Sequence, residues 1–406
     1  MHSLYISHLG MTEPLGQSQV LPYLIGLANN GFGIEILSFE AGATEEALSA
    51  TSNRLRSAGV RWTPLIRSES HRLEMKIWES SRGFAYGLAR ALQHRPKIVH
   101  ARSYLPAAVA DMIATVLPGA KMLFDCRGML GDEYVDAGHW TENRLEYKLL
   151  KRFEKRAFKR TEGLVVLTDA LRDWLVERDL LGRQTRVAVI PTCVDTDRFF
   201  PNEKRRAHVR AELGLTNELV VVYSGSLGNW YLASEMARFV GVLKRLHKRV
   251  ALLILTPSVP DDFRADAIAN GMGANEVIVR RVSPREMPTM LSAGDLGISF
   301  IQRCFSKLGS SPTKVAEYLA SGLVAIVNDG VGDQAALGED RDACVVLSSF
   351  DDAELERGAK AAIALATRPY QDRCRATVAV ARARFSLAEA GVPRYAELYR
   401  TLCANE

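Results

Sequence analysis

The sequence predicts an α/β protein of two domains, each a parallel sheet with crossover helices, and three observations carry that prediction. Short apolar runs alternate with helical periodicity from one end of the chain to the other. The 406 residues, 47% of them hydrophobic, are enough for two cores of ordinary size. Near "VAVIPTCVDTDRFFP", Val187 to Pro201, a strand ends in a Pro- and Asp-rich connection that runs into the basic segment "NEKRRAHVRAELG" and separates two halves built on the same plan. The expected division is residues 1–190, 191–385 and a C-terminal segment 386–406, with the two sheet domains facing across a cleft.

The elements follow in order. "LYIS" is the first strand, a helix runs from about Gln17 to Asn29, and "IEILSF", "IVHA", "KMLFD" and "GLVVLT" are further strands. In the second half "LVVVYSG", "ALLILTP", "EVIVRRV", "DLGISFI", "LVAIVN" and "ACVVL" repeat the pattern. Such unbroken apolar runs suit strands buried on both faces. Ligands of parallel sheets collect outside the carboxyl ends of the strands, so chemistry is expected in the loops leaving them.

Composition excludes several classes. With 52 basic residues against 47 acidic ones the formal charge is +5, too mild to mark a nucleic-acid binder. Six cysteines are scattered without a CxxC pair, so neither a zinc site nor a disulfide framework is expected, and a reducing compartment fits. The start "MHSLYISHLG" has no basic, then apolar, leader pattern, and no run approaches the roughly twenty apolar residues that span a bilayer. A soluble, cytoplasmic protein is expected, with peripheral contact at the inner face of a membrane left open.

In the first half, "SHLGMTEPLGQSQVL" lacks the G-x-G-x-x-G of a dinucleotide site, which removes support for nicotinamide binding. Gly16 reads either as a plain turn glycine or as a close-approach point for phosphate. "DCRGMLGDEYVD" gathers Asp125, Arg127, Asp132 and Glu133 at a strand end, either as structural ion pairs or as groups that orient and deprotonate a polar substrate. "VHARSYLPA" adds Arg102 and Ser103, while His100 reads as a core histidine. The helix "RLEYKLLKRFEKRAFKR", Arg144 to Arg160, places Leu145, Leu149, Phe153 and Ala157 on one stripe and cations on much of the rest. It is either a solvated face or a surface for anionic lipid.

In the second half, "VVVYSGSLGNWY" puts Gly225, Ser226 and Gly228 in a loop suited to phosphate, with Trp230 and Tyr231 either in the core or stacked on a ring. Arg281 and Val282 follow another strand, where a planar base could meet main-chain groups. "SSPTKVAEYLASG", Ser310 to Gly322, sets Ser310, Ser311, Thr313 and Lys314 at the start of a helix with Pro312 in its first turn and Glu317 one turn on. One reading is a capped helix with a surface Lys–Glu pair; the other is a phosphate cradle with a carboxylate for sugar hydroxyls.

"LGQSQVLPYL", "VLTDALRDWL", "VIPTCVDTDRFFP", "YSGSLGNWY" and above all "SSPTKVAEYLASGLVAIVNDGVGD" together resemble the GT-B glycosyltransferases of family 4 type over nearly the whole chain. The resemblance implies two Rossmann-like domains, a nucleotide-sugar donor held by the C-terminal one, an acceptor held by the N-terminal one, and retention of configuration. It also implies no metal, no cofactor, and a last helix near "AGVPRYAELYRTL" that crosses back to the first domain. By the same resemblance Glu317 meets the donor ribose, Ser310, Ser311 and Thr313 cradle the diphosphate, and Lys314 neutralises the leaving phosphate. Gly225, Ser226, Gly228 and Gly16 line that diphosphate, and Arg281 and Val282 hold the base. Arg127, Glu133 and Asp125 join Lys314 as expected catalytic groups, and Arg102, Ser103 and Gln17 as acceptor-binding ones.

The sequence departs from the family pattern at three places. Gly309 stands where the first of two paired glutamates is expected, Ser226 replaces a loop arginine with no lysine close by in sequence, and Asp125 stands in place of a histidine. The expected function is retaining transfer of a hexose from a nucleotide-diphosphate sugar to a glycan or lipid-linked acceptor in cell-surface polysaccharide synthesis. A nucleotide-sugar epimerase or a non-catalytic nucleotide-sugar-binding regulator of the same fold is the alternative. No nucleic-acid partner is expected.

Overall fold

The computed structural model describes residues 2–67, 73–228, 230–257 and 261–404. It resolves into two compact units, Met1–Pro191 with Ala390–Glu406, and Thr192–Glu389.

The first unit contains β1 (His2–Ser7), β2 (Gly33–Glu40), β3 (Arg61–Ile66), β4 (Ile98–Arg102), β5 (Lys121–Asp125), β6 (Gly163–Val166) and β7 (Arg186–Val189). They form one parallel sheet in the order β3-β2-β1-β4-β5-β6-β7. The order reverses between β1 and β4, and crevices for ligands open at such reversals, beyond the strands' carboxyl ends. Sequence reading passes over β3, whose "RWTPLI" has no unbroken apolar run, buries Leu65 alone and holds Pro64. As an edge strand paired only with β2, it tolerates a residue without an amide hydrogen. The expected helix from Gln17 to Asn29 is two helices, Pro14–Gln19 and Leu21–Asn29, broken at Val20 where φ is −125° and a proline follows at position 22. In the basic helix, Leu145–Arg160, the buried face runs through Glu154, Ala157 and Phe158. Leu145 and Leu149, expected on the apolar stripe, point into solvent.

The second unit contains β8 (Leu219–Ser224), β9 (Val250–Leu255), β10 (Val277–Arg280), β11 (Leu296–Ser299), β12 (Val324–Asn328) and β13 (Cys344–Leu347). Its parallel sheet has the order β10-β9-β8-β11-β12-β13, reversing between β8 and β11. Successive residues of β8 feed opposite cores. Leu219, Val221 and Tyr223 pack on one face, Val220 and Val222 on the other, as a sheet covered on both sides requires.

A buried carboxylate ties the second unit's helices to its sheet. Asp295, just before β11, accepts the Val220 amide at 2.9 Å and pairs with Arg206 at 2.6 Å, Arg373 at 3.1 Å and Arg210 at 3.4 Å. Those arginines also bond the carbonyls of Ala293, Gly294, Glu218 and Ala366. Removing one partner of a buried ionic network strands the others. Asp295→Ala should therefore destabilise the second unit by about 3–5 kcal/mol, read from the denaturant midpoint of unfolding.

Candidate active site

In the second unit the chemistry gathers where the sheet order reverses. β8 ends at Ser224 and the chain turns at Gly225, whose φ of +99° lies in the left-handed region that favours glycine. The Tyr223 hydroxyl donates to the Ser226 carbonyl at 2.8 Å and fixes the next residue of the loop. Ser226 and Gly228 are exposed, and among the described residues, its chain neighbours aside, none has an atom within 4 Å of the place where a Gly228 Cβ would stand.

The helix Thr313–Ala320 meets this loop, with Pro312 as its extended N-cap residue. Its orientation is set by Tyr318. That hydroxyl accepts the Ser224 amide at 2.9 Å and donates to the Ile298 carbonyl at 3.4 Å, while the ring lies on Gly297, where a Cβ would be 2.3 Å from it. Four residues earlier on the same helical face stands Lys314. Its ammonium sits 3.6 Å from the Tyr231 ring centroid, 4.1 Å from that of Tyr223, and 3.6 Å from the position a Gly225 Cβ would take. The side chain is buried and, among the described residues, has no hydrogen-bond acceptor. The aromatic faces attract the cation but do not replace water, and burial pushes the Lys314 amine well below the ordinary lysine range, against the pull of Glu317. Burial likewise raises the Glu317 carboxyl to about 7, opposed by Lys314 and Arg198.

The remaining second-unit candidates surround this pair unevenly. The Ser311 hydroxyl accepts the Thr192 amide at 3.1 Å, Ser310 donates its amide to the Lys307 carbonyl at 3.1 Å, and Thr313 is half-buried at the helix start. Arg281 is exposed beyond β10, and Val282 packs against the core beside it. Sequence reading missed Lys307, a buried lysine whose ammonium rests 3.7 Å from the Trp230 ring centroid. Lys314 and Lys307 thus reach Tyr231 and Trp230, residues that follow a glycine loop carrying no cation of its own. An aromatic pair beside lysines about eighty positions later offers no local pattern to detect.

In the first unit, Asp125 closes β5 and is fully buried. Arg102 reaches it at 3.1 Å, Arg127 at 3.4 Å, and Tyr395 is hydrogen-bonded to it as well. Burial alone would raise this carboxyl, but Arg127 and then Arg102 hold it below the usual range, so it is an anion that orients two arginines. His100 is buried, bonded through Nδ1 to the Tyr399 hydroxyl at 2.8 Å, and pushed by burial down to about 4 despite Asp125, so it is neutral at pH 7. A small pocket beside this cluster is lined by Tyr5, Gln19, Tyr23, His100, Arg102 and Tyr395. Ser103 holds a φ of 70°, a strained value for a non-glycine residue, and donates its amide to the Asp125 carbonyl at 2.9 Å. Glu133 lies over Gly128, next to Arg127, with Oε1 3.2 Å from the position of a Gly128 Cβ.

Two first-unit candidates have structural work. The Gln17 amide donates to the Met11 carbonyl at 2.7 Å and to Thr51 at 3.1 Å and accepts from Arg54 at 2.9 Å. A Cβ on Gly16 would stand 2.0 Å from the Gly10 carbonyl oxygen, so backbone contact alone requires glycine there. Among the described residues no three His, Cys, Asp or Glu side chains are grouped to hold a metal ion, and no helix is long and apolar enough to cross a membrane.

Residues 18–193 match the glycosyl transferase 4-like domain family. No curated protein matches the chain in sequence. Among solved structures, sucrose-phosphate synthase from Thermosynechococcus elongatus is similar with a TM-score of 0.73 at 15% identity, covering 100% of both chains. HepE of Anabaena, solved in complex with UDP, reaches 0.71 at 13% identity, again over 100% of both chains. WaaG, a glycosyltransferase involved in lipopolysaccharide biosynthesis, reaches 0.65 at 15% identity over 98% of this chain and 99% of its own. Likeness at these identities shows the fold, which is the GT-B glycosyltransferase fold of two parallel-sheet α/β units.

Lys314 yields a test on the ligand-free protein. A lysine whose folded pKa is depressed binds its proton more tightly when unfolded, so wild-type stability should rise with pH up to the ordinary value of 10.5. Lys314→Met removes the buried cation and keeps the volume. It should stabilise the protein at pH 7 by about 1–3 kcal/mol, with the difference fading toward pH 10.5, as followed by thermal unfolding across pH.

Proposed function

We propose that this chain, a glycosyltransferase of GT-B type by domain and fold, transfers a hexose with retention from a nucleotide-diphosphate sugar to a hydroxyl of a glycan or lipid-linked acceptor. The observation that carries the donor assignment is the buried Lys314 ammonium, without an acceptor among the described residues, beside the Gly225 turn and at the start of a helix. A cation held in a desolvated, aromatic setting discriminates strongly for an anion, because the approach of negative charge restores what burial removed. The exposed Ser226 and Gly228 leave backbone open on the same loop, and the first turn of the helix adds amides and dipole. The solved HepE complexes with UDP and with UDP-glucose support a nucleotide-sugar ligand for this fold.

In this reading the second unit holds the donor and Lys314 acts where charge develops. As the sugar leaves, the diphosphate gains negative charge, and a preorganised ammonium with helix amides lowers that barrier without reorganising at the moment of reaction. Glu317 accepts hydrogen bonds from the ribose hydroxyls, and Val282 and Arg281 flank the base. The departing phosphate takes the acceptor proton on the face it leaves. Arg102 and Arg127, oriented by Asp125, position the acceptor together with Ser103 and Glu133. The acceptor is proposed to belong to cell-surface polysaccharide assembly, and no cofactor or metal enters this scheme.

The first test is thermal stability against a panel of UDP, GDP, ADP, CMP and dTDP. One diphosphate should raise the melting temperature, since a ligand at a hundred times its dissociation constant adds about 2.7 kcal/mol to the folded state. Lys314→Met should lower that affinity by about tenfold to a hundredfold, the value of a charge-assisted hydrogen bond. No shift with any nucleotide, or an unchanged affinity in the variant, would overturn the donor assignment.

Glu317→Gln separates a binding carboxylate from a structural one. A raised carboxyl pKa contributes stability that is present below pH 4.5 and lost as pH rises through about 7. At pH 8 the variant should thus be more stable than wild type by about 1–3 kcal/mol, yet bind the nucleotide more weakly by about tenfold. Titration calorimetry beside thermal unfolding reads both signs, and a loss of stability with unchanged affinity would remove Glu317 from the site.

A further inference from the structure

The helix Leu145–Arg160 carries seven basic residues against two acidic ones, a formal +5 equal to the net charge of the whole chain. All other residues together are therefore balanced, and the excess is concentrated on one element. Part of that charge is spent internally. Lys151 pairs with Asp132 and Glu154, Arg156 and Arg160 both grip Asp111 on the helix Tyr104–Val116, and Lys159 pairs with Asp179.

Three cations are left over. Lys148, Arg152 and Lys155 are exposed on one stripe of the helix and form no ion pair or side-chain hydrogen bond among the described residues. On the same stripe, toward the helix start, Leu145 and Leu149 are 67% and 52% exposed. At that end Tyr134 and Trp140 stack with centroids 4.4 Å apart, and the Arg144 guanidinium lies 5.7 Å from the Trp140 centroid. Beside the other end, Met112 and Val116 are exposed next to Asp111 and Thr115, which Arg156 and Arg160 bind.

A solvated helix face accounts for the cations and leaves the leucines in water for no return. A nucleic-acid surface uses cations and aromatic rings but has no place for two leucines and a valine. An anionic bilayer takes both, with phosphates for the ammonium and guanidinium groups and an interfacial layer for leucine and aromatic side chains. We infer that this face docks on an anionic lipid surface, with the helix lying in the plane of the headgroups. The inference rests on this face alone and not on the donor site.

The test uses the full chain and vesicles that contain no glycosyl acceptor. Cosedimentation compares phosphatidylcholine alone with phosphatidylcholine containing about one part in three of phosphatidylglycerol. The protein should bind the anionic vesicles and not the neutral ones, and binding should fall as salt rises from about 0.1 M to about 1 M. Lys148→Glu, Arg152→Glu and Lys155→Glu together should reduce partition at least about a hundredfold, roughly fivefold for each cation removed. Leu145→Ser with Leu149→Ser should reduce it by about tenfold. All five residues face solvent, so both variants should keep the wild-type melting temperature. Equal binding to the two vesicle types, anionic-vesicle binding unchanged in the triple variant, or binding to heparin with none to vesicles would each overturn the proposal. A missing nucleotide shift would instead overturn the donor reading and leave this one standing.

Discussion

A lysine ammonium taken out of water, with no acceptor among the described residues, is the constraint around which the second unit is organised. Among the described residues the Lys314 ammonium meets the faces of Tyr231 and Tyr223 and no hydrogen-bond acceptor, and ring quadrupoles offset a fraction of lost hydration. The arrangement persists because its surroundings are over-determined. Tyr318 clamps the helix to the ends of β8 and β11, Gly297 removes the Cβ that would lift that ring, and Gly225 turns in a conformation that brings the loop against the lysine. Asp295 and its three arginines fasten the helices behind. The desolvation cost at one amine is thus held in place by packing and hydrogen bonds on the elements around it.

The first unit treats charge in the opposite way. Asp125, Arg102 and Arg127 satisfy one another at the ends of β4 and β5, and His100 next to them is kept neutral by burial. Such a cluster is stiff and selective for shape and hydrogen-bond geometry, since its guanidinium groups are already aimed. On the proposed reading the second unit discriminates by charge. The proposed transfer needs both kinds of recognition, because a diphosphate is defined by its anion and an acceptor hydroxyl by its position.

Much of this was legible in the sequence because it depends on local pattern. Apolar runs located twelve of the thirteen strands, and β3 escaped because an edge strand with Pro64 has no apolar run to show. The Ser–Ser–Pro–Thr–Lys segment marked a helix start for the same local reason. What could not be read were relations between distant residues. Nothing in "SGSLGNWY" says that Tyr231 will carry a lysine from position 314, or Trp230 one from position 307. The Gln17 side chain looked available because its partners, Met11, Thr51 and Arg54, are supplied by the fold. In the basic helix the 3.6-residue period was right and the buried face only in part, since Ala157 is buried while Leu145 and Leu149 are exposed. Periodicity gives a stripe of leucines, while Glu154, bonded to Tyr104 at 2.6 Å, and Phe158 decide which way the helix turns.

The first unit is discontinuous along the chain, with residues 390–406 joined to Met1–Pro191 across the whole of the second unit. The returning helix, Val392–Ala404, does more than cover a surface. Tyr399 bonds His100, Tyr395 bonds Asp125, and Leu402 offers its carbonyl to Lys121 and its side chain to the space above Gly163. On the ribosome, the polar centre of the first sheet is therefore made long before its last partners emerge, and it waits while residues 192–389 are synthesised and fold. A nascent chain halted anywhere in that interval carries the strands of the first sheet without the tyrosines and leucine that complete its interior, so the first-made unit depends on the last-made residues for its native contacts.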